Sequence, residues 1–586
     1  MILQALTRYY EVLLAQGRIS APGWGKAKVS FGLELAEDGT LLDVVSFLTE
    51  QARGKKMVLA PRVMEVPMPV KRSSGVAPNF LCDNSGYLLG ADAKGKPQRT
   101  KECFEACRAL HQRLMAGAGS PAARAVTAFF ARWQPQQAAA HPLLEKIWEE
   151  VAGGANLIFC HGLVPVWEDP LVKKAWQEHY SAGADMPQGR CLVTGQKTVI
   201  AKVHPSVKGV RDAQSSGAAL VSFNAPALSS YGQEQGYNAP VGGYAAFAYT
   251  TALNTLLADT QHCQVIGDTT VVCWAEHGGA AYQDAVMAAL FGRAEAGLTD
   301  TALRGVLNAL AEGRSAQWNG GVLQCGEHFY VLGLAPNVAR ISVRFFFSDT
   351  FGVLMDNLRK HFSDIEIRRP AYDKFDILPL WKLVDEVVNQ NSRSKTPPPQ
   401  LAGDLLRAIL TGGPYPATLR NGVALRIRTD HQVTRGRAAI LKAYYRRFNN
   451  GHGHPHCPKE VLQVNGSDNT TNIPYALGRL FSVYENIQSA ANPGINTTVK
   501  DKYFNSASAA PALIFPILGN LAEKHMRKLS YALRVYYSKK LGELMQIVGD
   551  KYPTQLDLAQ QGSFQLGYYF ENLRRYEKKT ENKEVN

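Results

Sequence analysis

The first part of the chain alternates between helical and extended hydrophobic patterns. Apolar positions at helical spacing predict an amphipathic helix within residues 1–18. The runs VSFGLEL and TLLDVV flank Glu37-Asp38-Gly39, and an Asp-Gly step between two alternating runs predicts a β-hairpin. A third extended run, Met57 to Val70, contains three prolines. Because proline removes ladder donors, we expect this run to be an edge strand or a loop.

The later pattern changes from mixed to helical. Helical spacing predicts helices at 100–114 and 141–151 and in AFAYTTALNTLL, whereas TTVVCWAE and VLGLAPNVARISVRFFF predict strands. From about Phe351 the patterns are helical, and polar segments at 392–400 and 451–472 are typical of linkers. We therefore predict an α+β N-terminal region followed by an all-α C-terminal helical bundle. The expected domains are 1–375, a helical connecting region at 376–460, and a bundle at 461–586.

Charge narrows the class of partner. The 586 residues include 64 Lys and Arg against 50 Asp and Glu, which gives a net charge of +14. A surplus of this size favours a polyanionic partner, of which nucleic acid is the commonest.

The nine cysteines contain no C-x-x-C pair, a usage typical of a reducing, intracellular protein. No apolar run is long enough to span a membrane and the N-terminus does not resemble a signal peptide, so we expect a cytoplasmic location.

Sequence motifs for catalysis are sparse. The chain has no G-x-x-x-x-G-K-[ST], G-x-S-x-G or H-E-x-x-H motif, so NTPase, serine-hydrolase and zincin interpretations lack their minimal anchor. His452, His454, His456 and Cys457 have the ligand types of a zinc site, but their near-consecutive spacing is poor for tetrahedral coordination. A glycine- and histidine-rich surface loop explains them as well. A metal-dependent nuclease using this cluster stays an alternative.

Three segments combine cations with small polar residues, a composition that favours contact with nucleic acid. In the first, Lys71-Arg72-Ser73-Ser74-Gly75 precedes Asn79, Phe80 and Asn84. Gly75 allows close approach of a phosphate to the backbone, and asparagine amides are suited to reading base edges. An ordinary turn in which Asn79 and Asp83 cap the local backbone explains the same residues equally well.

The second and third segments supply further cations. In the second, cations precede a flexible polar loop, and the candidate contacts are Lys208, Arg211, Gln214, Ser215 and Asn224. The third lies on the C-terminal helices, after Arg446 and Arg447, and its candidates are Lys524, Arg527, Lys528 and Arg534. Cations on an amphipathic helix pair can follow a phosphate backbone without reading sequence. A solvated basic face is the alternative, and a general basic RNA-binding protein is the corresponding function.

Several long segments, in order along the whole chain, resemble the large subunit of the type I-C CRISPR Cascade surveillance complex, the Csd-type large subunit. They are MILQALTRYYEVL, KRSSGVAPNFLCDNSGYLLG, KGVRDAQSSGAALVSFNAP, AFAYTTALNTLL, IGDTTVVCWAE, LGLAPNVARISVRFF, YALGRLFSVYENIQ, NPGINTTVKDKYFNSASAAPALIFP and QLGYYF. Several ordered matches of this length are far more specific than any single glycine motif.

The resemblance implies a non-catalytic subunit of an RNA-guided DNA-binding complex, in which the guide reads the target and the protein reads a short adjacent motif. It implies as partners the guide RNA, target double-stranded DNA, the backbone, guide-end-capping and small subunits, and a separate helicase-nuclease. It implies no cofactor, metal or membrane. On this interpretation Lys71 to Asn84 lie in or beside the motif-reading loop, with Phe80 or a neighbouring amide as a candidate wedge. Lys208 to Asn224 would contact phosphates or guide, and the C-terminal bundle would hold the target or displaced strand.

Overall fold

The structure is a computed structural model that describes residues 1–53, 56–70, 75–93, 95–181, 187–277, 279–292, 300–373 and 376–575. Helices and strands are mixed up to Thr350, and the described residues beyond it form helices and loops. This arrangement confirms the predicted α+β region followed by an all-α region.

The α-helices are α1 (Ile2–Ala15), α2 (Ser85–Leu88), α3 (Pro97–Met115), α4 (Pro121–Arg132), α5 (Trp148–Ala152), α6 (Pro170–Ser181), α7 (Gly243–Ala258), α8 (Ala280–Phe291), α9 (Asp300–Ala311), α10 (Phe351–Ile365), α11 (Leu380–Asp385), α12 (Leu401–Leu410), α13 (Ala417–Asp430), α14 (Arg435–Arg447), α15 (Ile473–Ala491), α16 (Val499–Ala509), α17 (Pro511–Met526), α18 (Tyr531–Val548) and α19 (Leu558–Arg574).

The strands are β1 (Trp24–Val29), β2 (Phe31–Leu35), β3 (Leu41–Ser46), β4 (Leu48–Arg53), β5 (Lys56–Pro67), β6 (Cys82–Asn84), β7 (Asn156–His161), β8 (Val164–Pro165), β9 (Gln188–Arg190), β10 (Lys197–Val199), β11 (Gln264–Ile266), β12 (Thr269–Ala275), β13 (Ala316–Trp318), β14 (Gly321–Leu323), β15 (His328–Asn337) and β16 (Arg340–Thr350). One sheet has the order β3-β2-β7-β6, with β8 beside β7, and others have the orders β1-β5-β4 and β11-β12-β15-β16. The β2–β7 pair is parallel and the other strand pairs are antiparallel.

The chain divides into two compact units. Unit 1 comprises Met1–Tyr9, Pro205–Ser222 and Thr250–Asn586, and unit 2 comprises Tyr10–His204 and Phe223–Tyr249. Each unit has a hydrophobic core of its own, built on the β11-β12-β15-β16 sheet and the later helices in unit 1 and on the β3-β2-β7-β6 sheet in unit 2. The three functional ranges expected from the sequence stay a prediction.

The N-terminal strands follow the sequence pattern closely. The Asp-Gly hairpin is present as β2 and β3, and Gly39 in the turn has a positive φ of 84°. The proline-containing run forms β5, which pairs with β4 through residues 56–61 and with β1 through residues 62–67. The run is thus a strand and not a loop, and each of its residues pairs with one strand only, which leaves the unpaired side that the edge-strand prediction requires. Pro61 lies where β5 changes partner, so its missing N–H is accommodated between the two ladders.

Most of the other local predictions are confirmed, and one is confirmed only in part. The helices predicted at 100–114 and in AFAYTTALNTLL are present as α3 and α7. The two strands predicted around a Pro-Asn turn are present as β15 and β16. The helix predicted at 141–151 is reduced to a 3-10 turn, Glu145–Ile147, and the short α5.

In the helical region the backbones of α15 and α19 approach each other very closely, along a contact that we call the α15–α19 seam. A methyl group added at Gly478 would lie 1.9 Å from the carbonyl oxygen of Phe564, and one added at Gly567 would lie 2.1 Å from that of Tyr475. These approaches are possible only because neither glycine has a Cβ. The two glycines belong to YALGRLF and QLGYYF, so these segments carry the packing of two long helices.

The described helices include none that is both long enough and apolar enough to cross a membrane.

Candidate nucleic-acid interface

The first candidate segment is the loop between β5 and α2 in unit 2. Lys71, Arg72, Ser73 and Ser74 lie outside the described residues. The described part begins at Gly75, whose φ of 84° is in the left-handed region and whose carbonyl oxygen accepts a hydrogen bond from Arg99 Nη2 at 3.0 Å. Tyr87 Oη accepts a hydrogen bond from the Ala77 amide at 3.3 Å. Helices α2 and α3 thus hold the start of this part of the loop.

A buried carboxylate organises the two candidate asparagines. Asp83, which is 1% exposed, accepts hydrogen bonds from the amides of Asn79 and Asn84, both at 2.9 Å. Asn79 Oδ1 accepts from the Val70 amide at 2.8 Å, and Asn84 Oδ1 accepts from the Gly86 amide at 3.1 Å as the N-cap of α2. The capping alternative therefore accounts for both side-chain oxygens. Neither side-chain NH2 group donates to a described residue, so each remains a donor for a ligand.

A neutral histidine fixes the backbone between these asparagines. His111 is fully buried, its Nε2 accepts a hydrogen bond from the Leu81 amide at 2.9 Å, and its Nδ1–H donates to the Cys107 carbonyl at 2.7 Å. Burial lowers the pKa of His111 to about 4, and the Cys107 carbonyl opposes this effect only in part. Leu81 has a φ of 60°, which is unfavourable for a branched side chain and persists here because the surrounding contacts impose it.

Phe80 lies in the hydrophobic core of unit 2. It is 1% exposed, and its ring stacks on Trp176 at 5.3 Å and on His111 at 5.1 Å between ring centroids. This placement gives Phe80 a packing role that holds the loop. A wedge between bases would require the ring to leave this position, so the assignment of Phe80 as a wedge stays an untested prediction.

The second candidate segment forms a closed loop in unit 1. Val207 and Ala218 exchange two backbone hydrogen bonds, at 2.9 and 2.8 Å, which close the loop at its base. The Lys208 amide donates to Asn254 Oδ1 at 2.8 Å, and the Arg211 amide donates to Thr270 Oγ1 at 3.1 Å. The loop backbone is therefore attached to α7 and to β12.

The side chains of this loop point to solvent. Lys208, Arg211, Gln214 and Ser215 are all exposed. The Arg211 side chain is 61% exposed, and its nearest acidic oxygen, Asp212 Oδ2, lies 3.7 Å away on an even more exposed residue. Such a pair contributes little in water, so the guanidinium is available to a phosphate. The structure brings these four candidates together on one anchored loop, whereas Asn224 is exposed and belongs to unit 2.

The third candidate segment lies at α17 and α18 in unit 1. The candidates Lys524, Arg527, Lys528 and Arg534 are all exposed. Lys528 Nζ donates to Asn492 Oδ1 at 3.2 Å. Only Leu544 and Val548 of α18 are buried, and Tyr531 on its first turn is 76% exposed. An aromatic ring beside exposed cations is an arrangement that suits unpaired bases and phosphates.

Lys540, another cation of this helix, has a structural role. Its Nζ lies 2.5 Å from Glu571 Oε1, and the Glu571 side chain is only 2% exposed. Arg479 Nε shares the same carboxylate at 3.0 Å. A buried carboxylate needs such partners, so Lys540 links α18 to α19.

The histidine-rich loop shows no metal-binding geometry. Cys457 is fully buried, and burial raises the pKa of its thiol to about 12. His456 Nδ1 pairs with Asp557, and the His454 ring packs edge-on against Phe448. Among the described residues, no group of three or more His, Cys, Asp or Glu side chains is placed to hold a metal ion. The metal-dependent nuclease alternative gains no support from this arrangement.

The sequence reasoning missed His111 and treated Asp83 only as a local cap. No motif marks His111, which reaches the loop from near the C-terminal end of α3. Its position within an otherwise apolar helix face was the only available signal, and such histidines are more often packing residues. Its role depends on a contact between segments that are distant in the sequence.

The family model described as CRISPR-associated protein (Cas_Csd1) matches residues 6–576. No curated protein matches the chain.

Proposed function

Because the chain belongs to the Csd1 family, the large subunits of type I-C CRISPR Cascade complexes, we propose that it recognises the protospacer-adjacent motif on double-stranded DNA. In RNA-guided complexes the guide pairs with the target strand, and the protein inspects only a short duplex element beside it. We further propose that this subunit promotes duplex opening and R-loop formation, stabilises the displaced strand, and helps to recruit a helicase-nuclease.

The observation that carries the proposal is that Asn79 and Asn84 each keep an NH2 donor that no described residue uses, on a loop whose backbone is fixed. Each side-chain oxygen accepts one backbone amide, and Asp83 holds the backbone of both residues. The amide groups are therefore oriented, with their NH2 donors left for a ligand. Base edges present matching acceptors in both grooves, including thymine O4 or O2 and adenine N7 or N3. A loop held by a buried carboxylate and a buried histidine suits readout, since it loses little conformational freedom on binding.

The cationic loop and the C-terminal helices supply the sequence-independent part of binding. Lys208 and Arg211 project from an anchored loop, where they can contact phosphates of the guide or target. The exposed cations of α17 and α18 extend the positive surface within unit 1. Lys71 and Arg72 are proposed to contact the duplex beside the motif. Chemistry on the bound DNA is assigned to the recruited helicase-nuclease and not to this subunit.

The proposal is tested with Asn79→Asp and Asn84→Asp in the assembled complex. Aspartate retains the oxygen that accepts the backbone hydrogen bond, and it is an equally good N-cap, but it has no NH2 donor. We expect the affinity ratio between targets with and without the adjacent motif to fall by roughly fivefold to a hundredfold, since a good base contact contributes about 1–3 kcal/mol.

Gln137→Glu is the matched control. Gln137 is exposed in the same unit, and this substitution also replaces an amide with a carboxylate. It should weaken both targets equally through charge repulsion and leave the ratio unchanged. An unchanged ratio in both asparagine variants would refute motif readout by these residues. Tight binding by the isolated chain to RNA of any sequence would favour the general RNA-binding alternative.

A further inference from the structure

A cavity of about 780 Å³ lies within the helical part of unit 1. Its walls come from α10, the connection between α12 and α13, the end of α14, and the loop that follows α14. The cations that line it are Arg359, Lys360, Arg446, Arg447 and Lys459. These five residues come from three separate stretches of sequence, so the cavity is a product of the fold.

The cavity wall carries an excess of positive charge. Two carboxylates, Asp356 and Asp364, face five cations, which leaves a surplus of three. Arg359 pairs with Asp356 at 2.6 Å, whereas Arg446 and Arg447 share the single carboxylate of Asp364, at 3.1 and 2.6 Å. The charges of Arg359 and Asp356 cancel, and Asp364 cancels one of its two guanidinium partners, so one guanidinium charge remains.

The two lysines of the wall have no carboxylate partner among the described residues. Lys360 Nζ donates only to the Gly412 carbonyl, at 3.4 Å, and Lys459 makes no ion pair. An ammonium group without an acidic partner, next to other cations, favours an anionic ligand. Lys360 and Lys459 therefore contribute the other two uncompensated charges.

Deep in the wall, the positive charge is held away from water. The Arg447 side chain is 2% exposed, and its Nη1 donates to the carbonyls of Ala408 and Gly413. Its Nη2 has no hydrogen-bond acceptor among the residues that the structure describes. Behind it, the fully buried Lys442 donates to the Asp364 carbonyl at 2.9 Å. Burial and the charge of Arg446 lower the pKa of Lys442 to about 8. An anion bound in the cavity would reduce the repulsion between the charges of Lys442 and Arg446.

We propose that this cavity binds the phosphate groups of a nucleotide-sized ligand, either a free nucleotide or one nucleotide of a nucleic-acid strand. Guanidinium and ammonium groups are the side chains best suited to phosphate oxygens. The volume falls within the range of small-molecule sites, roughly 300–1,000 Å³. The lining residues include no aromatic ring, so recognition is centred on phosphate and not on the base. The proposal rests on the cavity alone and does not depend on motif readout.

The test measures binding of ATP, pyrophosphate and a short single-stranded oligodeoxynucleotide to the purified full chain by titration calorimetry. The variant is Lys360→Ala with Lys459→Ala, which removes two charges without breaking an ion pair. For each probe that the original chain binds, we expect the affinity of the variant to be lower by at least about tenfold, since hydrogen bonds to charged groups are among the strongest.

The matched control is Lys395→Ala with Arg407→Ala. These two cations are exposed in the same unit and lie outside the cavity wall. The control removes the same charge and should leave the affinities within about twofold of the original. Thermal unfolding checks that both variants are folded, and Lys360→Arg with Lys459→Arg, which retains the charge, should retain binding.

Competition between probes identifies the source of the phosphate. Displacement of ATP by the oligonucleotide supports a nucleotide of a strand as the occupant, and ATP binding that the oligonucleotide does not displace supports a free nucleotide. Failure of the original chain to bind any of the three probes would overturn the proposal. Equal weakening in the cavity variant and in the control would overturn it as well.

Discussion

Protonation of His111 should loosen the loop that carries Asn79 and Asn84. The imidazole accepts a hydrogen bond from the Leu81 amide through Nε2, which requires the neutral ring. A proton on Nε2 would face the Leu81 N–H and break this contact. The perturbation is therefore a decrease in pH, and the variant His111→Gln, which retains an acceptor but does not titrate, provides the reference.

The size of the stability loss at low pH follows from the pKa of His111, which is about 4 in the folded loop and 6.5 for an ordinary histidine. Between these two values the open loop binds more protons than the closed loop, so the closed loop loses stability as pH falls. The stability that neutral His111 gives to the closed loop is complete above pH 6.5. It decreases as the pH falls from 6.5 to 4, and it is lost below the pKa of about 4 in the folded loop. The full loss is about 3 kcal/mol, and at pH 5 it is about 2 kcal/mol, or roughly 30-fold in the opening equilibrium.

Hydrogen exchange of the peptide that contains Leu81 measures this equilibrium directly. After correction for the intrinsic exchange rate, the original chain should lose roughly 20-fold in protection between pH 7 and pH 5. The same peptide in His111→Gln should lose far less, because no group at this position titrates. Equal loss of protection in the two chains would refute the assignment of a neutral, hydrogen-bonded His111.

Three further predictions concern packing, binding and pH. Gly478→Ala should destabilise the α15–α19 seam by about 1–3 kcal/mol, because its Cβ would lie 1.9 Å from a carbonyl oxygen. Gly519→Ala, whose Cβ would lie 3.7 Å from its nearest neighbour, should be neutral or stabilising in the same unfolding experiment. The four exposed cations of the third candidate segment are Lys524, Arg527, Lys528 and Arg534. Replacing all four by alanine should weaken DNA binding regardless of sequence, and it should reduce the slope of log affinity against log salt by up to about 3. Burial opposes the charge of His262, but the hydrogen bonds that its ring donates to the Asp259 and Asp284 carboxylates outweigh this effect and raise its pKa. The stability advantage of the original chain over His262→Gln should thus be full below pH 6.5 and disappear as pH rises through the raised pKa, and equal stability at every pH would contradict this.

Local sequence signals predicted the fold well where the structure depends on neighbouring residues. The Asp-Gly turn before Thr40 specified the β2–β3 hairpin because a positive φ at Gly39 fits that turn. The prolines of β5 predicted a strand with an unpaired side, but they did not predict that the strand changes partner. A change of partner at Pro61 depends on strands that approach from elsewhere in the sequence.

The candidate site was predictable to a lesser extent. The loop from Lys208 to Ser215 was identified because its residues are consecutive, and the structure holds them on one anchored loop. The family resemblance suggested Phe80 or a neighbouring amide as a wedge, and this stays a prediction; the packing of the Phe80 ring on Trp176, far along the chain, could not be seen in the sequence. The cationic cavity was invisible for the same reason, since cations as distant as Lys360 and Lys459 meet only after folding.

As a subunit of a guide-RNA complex, the chain should copurify with guide RNA. The experiment expresses the tagged chain with its neighbouring genes, purifies it at moderately high salt, and sequences the RNA that remains bound. We expect short RNAs with a constant flank and varied interiors, together with the other Cascade subunits. Recovery of no RNA, or of RNA without a shared flank, would show that the chain is not part of such a complex.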